Sequence, residues 1–261
     1  MGRHALVLGG HGKVAQILTQ VLLRDSWTVT SVIRTKEQVS QIESLAPAGQ
    51  NNLSVLVHSI EDVQDVSQAK GLLSKVKADV VVWSAGAGGK GGPERTFAID
   101  RDAAINFIKA AVETPTVNKF VLISYLACRQ RPPHWWNDAS WKYAQEMQSG
   151  YLKNYCKTKL AADEILLQEA SKRADFVGIS LRPGMLSDEP AGQVELGKTT
   201  GSEGNVSRAS VAETVVSLLK HDEGQTCWLD MLDGDQDIEA AVDRVVKNRD
   251  NAAEGEDVYL V

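Results

Sequence analysis

A doubly wound α/β fold, with helices covering both faces of a mainly parallel sheet, is the fold class this sequence predicts. Two observations carry the prediction. Short runs rich in aliphatic and β-branched residues alternate with segments of helical periodicity along most of the chain, which is the pattern of right-handed βαβ units. The first such run, Ala5-Leu6-Val7-Leu8, meets Gly9-Gly10-His11-Gly12-Lys13-Val14-Ala15 and passes into Gln16-Ile17-Leu18-Thr19-Gln20-Val21-Leu22-Leu23, reading as strand, glycine turn and helix. A chain of 261 residues with 43% apolar and 24% charged side chains can bury a full core as one domain over residues 1–261.

Within the turn, Gly10-x-Gly12-x-x-Ala15 fits the dinucleotide fingerprint. One glycine allows the tight turn, the next lets backbone approach a pyrophosphate, and a small third residue lets helix pack on strand. Amides at the helix N-terminus would then hold the phosphates, which makes Gly9, Gly10, His11, Gly12, Lys13 and Val14 cofactor-binding candidates. A purely structural turn is the competing reading. Gly88-Gly89-Lys90 does not make a Walker loop, because Gly91 follows the lysine where that motif needs Ser or Thr.

The second strand is Trp27-Thr28-Val29-Thr30-Ser31-Val32-Ile33, from its β-branched content. It ends at Arg34-Thr35-Lys36. An acidic residue here would hold the ribose hydroxyls of NAD, whereas Arg accommodates the 2′-phosphate of NADP. Arg34, with Thr35 beside it, therefore points to NADPH in preference to NADH, against the alternative of a solvated basic turn.

A helix at about 36–45 and a polar loop lead to the third strand, Leu53-Ser54-Val55-Leu56-Val57-His58, followed by Ser59-Ile60. A helix near 63–75 precedes Ala78-Asp79-Val80-Val81-Val82-Trp83-Ser84, whose continuous apolar run predicts burial on both faces. Ala85-Gly86-Ala87-Gly88-Gly89 then falls at a strand end, the edge where such sheets bind ligands. A helix over about 100–113 and the strand Lys119-Phe120-Val121-Leu122-Ile123-Ser124 follow. Residues 128–150 interrupt the alternation and read as a lid or substrate loop. Its Trp135, Trp136 and Trp141 either line a pocket or cover the core.

Tyr155-Cys156-Lys157-Thr158-Lys159 opens the next helix, with Tyr155 and Lys159 four residues apart on one face. A nearby ammonium stabilises a phenolate, so Lys159 is expected to lower the Tyr155 pKa from its usual value of about 10. The strand Phe176-Val177-Gly178-Ile179-Ser180-Leu181 ends in Arg182-Pro183-Gly184. Residues 187–206 read as a Gly-rich variable loop over the site. A helix at about 210–220, the strand Thr226-Cys227-Trp228-Leu229-Asp230-Met231-Leu232, and a helix over Ile238 to Lys247 complete the pattern, with Val258 to Val261 docking at the end.

These residues together resemble an atypical member of the short-chain dehydrogenase/reductase superfamily, of the NAD(P)H-binding group called NmrA-like. The resemblance covers nearly the whole chain and rests on the glycine turn, Arg34, the Ala85 to Gly89 stretch, the Tyr155/Lys159 pair, Leu181-Arg182-Pro183-Gly184, and Ser207-Arg208-Ala209-Ser210-Val211-Ala212. It implies a Rossmann-like domain in which Tyr155 donates a proton and Lys159 also binds the nicotinamide ribose. Pro183, Gly184 and Met185 would border the nicotinamide. Two departures stand out: Ser59-Ile60 replaces an acid commonly found near the adenine, and Ser124 precedes the usual position of the substrate-orienting serine, where Tyr125 and Leu126 stand.

The net charge of −6 and pI of about 5.4 argue against general attraction to nucleic acid or anionic membrane. Cys128, Cys156 and Cys227 are odd in number and widely spaced, which fits free thiols in a reducing compartment. With no membrane-spanning run and no cleavable signal, a cytoplasmic monomer or small homo-oligomer is expected. The five histidines show no close ligand spacing, so no metal site is expected. The leading expectation is an NADPH-dependent oxidoreductase acting on a small carbonyl-type substrate, with Tyr155, Lys159 and Ser124 as its catalytic residues. The alternatives are a non-catalytic NADP(H)-binding redox sensor that presents a surface to a protein partner, and NADP-assisted epimerisation or dehydration of a larger substrate.

Overall fold

Strand β1 (His4–Leu8) has a continuous apolar run because both its faces are covered: Ala5 and Val7 point into one core, Leu6 and Leu8 into the other. The same division runs through β2 (Thr28–Ile33), β4 (Val80–Trp83) and β5 (Lys119–Ile123), while β6 (Val177–Pro183) and β10 (Cys227–Asp233) turn Ile179, Leu181, Cys227, Leu229 and Met231 into the first core. On the first face pack α1 (Lys13–Arg24), α8 (Arg208–Lys220) and α9 (Ile238–Asn248). The second carries α3 (Val66–Val76), α5 (Ala104–Val112) and α7 (Lys153–Ala170). The computed structural model describes residues 3–88 and 91–260. Gly89, Lys90 and Val261 of the sequence reading lie outside them.

Together with β3 (Leu53–Val57) and β8 (Val194–Gly197), these strands form a sheet in the order β3-β2-β1-β4-β5-β6-β10-β8. All pairings are parallel except β8 with β10. The order reverses between β1 and β4, which opens a crevice at their carboxyl ends. This is the doubly wound α/β fold expected from the alternation of elements. A separate parallel pair joins β7 (Met185–Ser187) to β9 (Asn205–Ser207).

Four segments depart from the sequence reading. The helix expected from about residue 100 begins at α4 (Gly92–Thr96) and runs through a π-helical stretch, Phe97–Ala103, into α5. Pro93 sits in its first turn, where a missing N–H costs nothing. Residues 128–150 are not a loop throughout, because α6 (Asp138–Ser149) occupies their second half. Asn137 caps it by accepting from the Ser140 amide at 2.8 Å, and only Ala144 is fully buried, so its periodic signal is faint. The 187–206 connection contributes β8 to the sheet edge and β9 to the small sheet. The helix expected at about 36–45 is a 3-10 turn, Lys36–Gln38, leading into α2 (Val39–Glu43).

The three tryptophans separate into roles. The Arg129 guanidinium lies 5.8 Å from the Trp135 ring and 4.8 Å from that of Trp136. Trp136 also donates its indole N–H to the Thr199 carbonyl at 2.9 Å. Those two cover a buried cation, while Trp141 packs, as Met147, Leu152 and Tyr155 do, against the buried cluster of Tyr125, Leu126, Cys128 and Cys156.

Candidate active site

The crevice encloses about 610 Å³ and is lined on its first side by Gly9, His11, Gly12 and Lys13. Gly9 holds φ +84°, and an added Cβ would lie 2.5 Å from the Ala85 Cα. At Gly10, whose N–H donates to the Val32 carbonyl at 2.8 Å, a Cβ would fall 1.9 Å from the Ser31 hydroxyl. These two glycines let β1, β2 and β4 converge on the turn. Gly12 caps α1 with no side-chain hydrogen bond, leaving that helix N-terminus to an anion. The Val14 side chain is buried in the core, so it is the Val14 backbone that is available to a phosphate, as the amide reading expects. His11 bonds Gln41 at 2.9 Å, and Lys13 pairs with exposed Asp188 at 2.7 Å.

Arg34, at the end of β2, lines the far side with Gln38, His58, Ile60, Glu61 and Arg95. Thr35 and Ser59 are not among the lining residues. Thr35 turns into the helical start, its N–H donating to Gln38 Oε1 at 3.3 Å, and Ser59 precedes a 3-10 turn. Sequence reasoning missed Glu61, whose Oε1 accepts from Arg95 Nη2 at 2.6 Å and lies 3.5 Å from Arg34 Nη1. The two guanidinium groups hold its carboxyl below the usual range, Arg95 most strongly. Ala85, Gly86, Ala87 and Gly88 form the floor. A cavity of about 790 Å³ also opens at the opposite sheet edge, among Arg3, Trp27, Asp79 and Lys119. It has neither the glycine turn nor a strand carboxyl end, so the switch-point crevice is the candidate site.

Tyr155 and Lys159 share a face of α7, with the ammonium 5.6 Å from the ring centroid. Lys159 is buried, donates to the Ile123 carbonyl at 3.0 Å and lies 3.4 Å from Asp100 Oδ1. Asp100 is the second residue that sequence reasoning missed. The π-helical stretch sets it facing the crevice floor, where its Oδ2 accepts from the Ala87 amide at 2.9 Å. It thereby joins the floor to the Tyr/Lys pair. The expected fall in the Tyr155 pKa is not found: burial pushes the phenol well up, and the Asp100 charge adds to the rise. Lys159 is balanced by Asp100, so it cannot outweigh desolvation.

Ser124 is buried and donates its hydroxyl to Asp163 at 2.7 Å. That bond withdraws it from the substrate-orienting role. Asp163 also pairs with Arg182, whose Nε lies 3.1 Å from Asp230 and whose Nη2 donates to the Cys128 carbonyl at 2.7 Å. Arg129 joins Asp230 and, at 3.4 Å, Glu256. This fully buried network ties α7, β6, β10 and the segment after β5 to the C-terminal tail. Breaking one partner in such a network is costly, because it leaves an uncompensated buried charge. Tyr125 takes the position after Ser124, its ring 6.3 Å from that of Tyr155 and its hydroxyl 3.7 Å from Met185 Sδ. Pro183 ends β6, and Gly184 and Met185 follow it, held by Gly184 N–H to the Met231 carbonyl and Met185 N–H to the Gly204 carbonyl, each 2.9 Å.

The glycine turn and uncapped helix N-terminus at the switch point define a nucleotide-binding Rossmann-like protein, and the donor set fits a dinucleotide; Tyr155 and Lys159 do not line the crevice and connect to it through Asp100. A match over residues 9–222 agrees: the chain belongs to the NAD(P)H-binding family. It is 32% identical over 241 residues to a UPF0659 protein of Schizosaccharomyces pombe, covering 91% of this chain and 92% of that one. The uncharacterized sugar epimerase YhfK of Bacillus subtilis is 29% identical over 242 residues, 92% of this chain and 98% of its own. Among solved structures, a Bacillus halodurans chain assigned to the NAD-dependent epimerase/dehydratases superposes with TM-score 0.73 at 23% identity, covering 93% of this chain and all of that one.

Proposed function

We propose that this protein is an NADPH-dependent oxidoreductase that reduces a small carbonyl-type substrate. The observation that carries the reading is the Tyr155/Lys159 pair on one face of α7, with the ammonium 5.6 Å from the ring centroid; burial pushes the phenol up, so Tyr155 starts in the protonated state that a proton donor needs. When bound, the nicotinamide supplies hydride. The chain's own residues do the rest. Gly9, Gly12 and the α1 N-terminus hold the pyrophosphate, and Arg34 reaches the 2′-phosphate from the end of β2. Lys159 would hold the nicotinamide ribose, and its charge would offset part of the cost of the phenolate left once Tyr155 has given its proton to the substrate oxygen.

Epimerisation, suggested by the name of the Bacillus subtilis relative, would begin with a phenolate base. Burial and the Asp100 charge both oppose that state at Tyr155. A non-catalytic NADP(H) sensor is the second reading, and one observation favours it: the Ser124 hydroxyl is committed to Asp163. Single-turnover oxidation of bound NADPH against a panel of aldehydes and ketones separates the readings. In a reductase, Tyr155→Phe keeps NADPH affinity and slows oxidation about 100- to 10,000-fold. Equal rates in both proteins would remove Tyr155 as the acid, and no oxidation in either would favour the sensor.

A further inference from the structure

Two cysteines flank the candidate site without a part in the proposed reduction. Cys128 lies in the segment after β5, held there by the bond from Arg182 to its carbonyl, and Cys156 lies in the first turn of α7 beside Tyr155. Their sulfurs are 2.6 Å apart, and a disulfide needs about 2.05 Å. Both are buried, at 0% and 3% exposure. Cys227 belongs to the core on the other face of the sheet. The apolar cluster that holds the pair also contains Tyr125, Trp136, Trp141 and Tyr155.

We propose that Cys128 and Cys156 are a modification site for peroxides, a dithiol that closes into a disulfide and staples residues 129–155 across the start of α7. Cys156 keeps the residual exposure and is the sulfur that attacks the peroxide. Its thiolate takes one peroxide oxygen to become a sulfenic acid and releases hydroxide. Cys128, fully buried against Cys156, resolves: its sulfur displaces the sulfenic oxygen, which leaves as water. Overall two thiols lose two electrons and two protons, and one peroxide is reduced to two waters. Proximity favours the second step over release or further oxidation. The new bond closes a loop that contains all of α6, so the oxidised protein holds the cover over Tyr155 more firmly than the reduced one.

The test uses the purified full chain treated with hydrogen peroxide in its native state, then denatured, alkylated and mapped by peptide mass spectrometry. The expected product is one linked peptide pair carrying Cys128 and Cys156, with Cys227 alkylated and the link reversed by dithiothreitol. Closing a loop of roughly 29 residues should raise the melting temperature by about 6 °C, and hydrogen exchange should slow across residues 129–155. Cys156→Ser should abolish the rise, while Cys227→Ser should keep it. If Cys156→Ser fails to fold, wild type and Cys227→Ser still decide. Three alkylated thiols after peroxide, a link to Cys227, or sulfinic acid at Cys156 without a link would overturn the proposal.

Discussion

Gly9 and Gly12 lie three residues apart in one turn, yet they should respond oppositely to the same substitution. Gly12 has φ −65°, an ordinary value for any residue, and its added Cβ would meet the Gly9 carbonyl oxygen at 3.2 Å and that of Ser84 at 3.7 Å. The first contact needs a few tenths of an ångström of give. Against it stands the gain of about 0.4–1 kcal/mol when Gly becomes Ala at a compatible backbone, so Gly12→Ala should fold with a melting temperature within roughly 2 °C of wild type. Its methyl group would stand in the crevice where backbone must approach the pyrophosphate. Losing one charged hydrogen bond costs about 1.5–3 kcal/mol, hence tenfold or more in affinity. Gly9→Ala places a side chain at φ +84° and 2.5 Å from the backbone of Ala85. Left-handed strain and overpacking each cost about 1–3 kcal/mol, so the melting temperature should fall by roughly 4–10 °C. Calorimetric titration with NADPH and thermal melts of both variants read the two effects separately. Wild-type NADPH affinity in folded Gly12→Ala would refute the placement of the pyrophosphate at this turn.

Arg34→Ala should weaken NADPH by tenfold or more while leaving NADH nearly unchanged, because only the former carries a 2′-phosphate. Stability should hardly move, since the side chain is 52% exposed and its contact with Glu61 is 3.5 Å long; equal losses for both cofactors in calorimetry would count against the assignment. At Glu164, burial and then the Glu256 charge push the carboxyl up to about 7 from 4.5. The folded chain therefore holds a proton that the unfolded chain releases, and stability falls as pH rises through that window. Glu164→Gln should match wild type near pH 4.5 and melt higher above about pH 7, and a pH-independent difference in thermal melts would show the shift to be absent.

The strands and the glycine turn were legible because their determinants are local. A strand covered on both faces needs an unbroken apolar run, as in Val80-Val81-Val82-Trp83, and the turn needs Gly9 where φ is positive. The Tyr155/Lys159 spacing was legible for the same reason, since helical geometry alone puts both on one face. What spacing could not supply was which charge each side chain would meet. Lys159 finds Asp100 only because the helix carrying Asp100, dozens of residues away, takes a π-helical stretch beneath the crevice floor. That encounter, with the burial of Tyr155, reverses the expected direction of its pKa. The strand pattern puts Ser124 at the end of β5, but Asp163 decides what its hydroxyl does. Cys128 and Cys156 read as separate free thiols because 28 positions divide them, and folding brings their sulfurs together. Periodicity and turn chemistry are properties of neighbouring residues, so the sequence by itself determined the fold class and the position of the nucleotide turn. The electrostatic state of the site depends on which distant groups share a low-dielectric interior, and only the tertiary structure decided that.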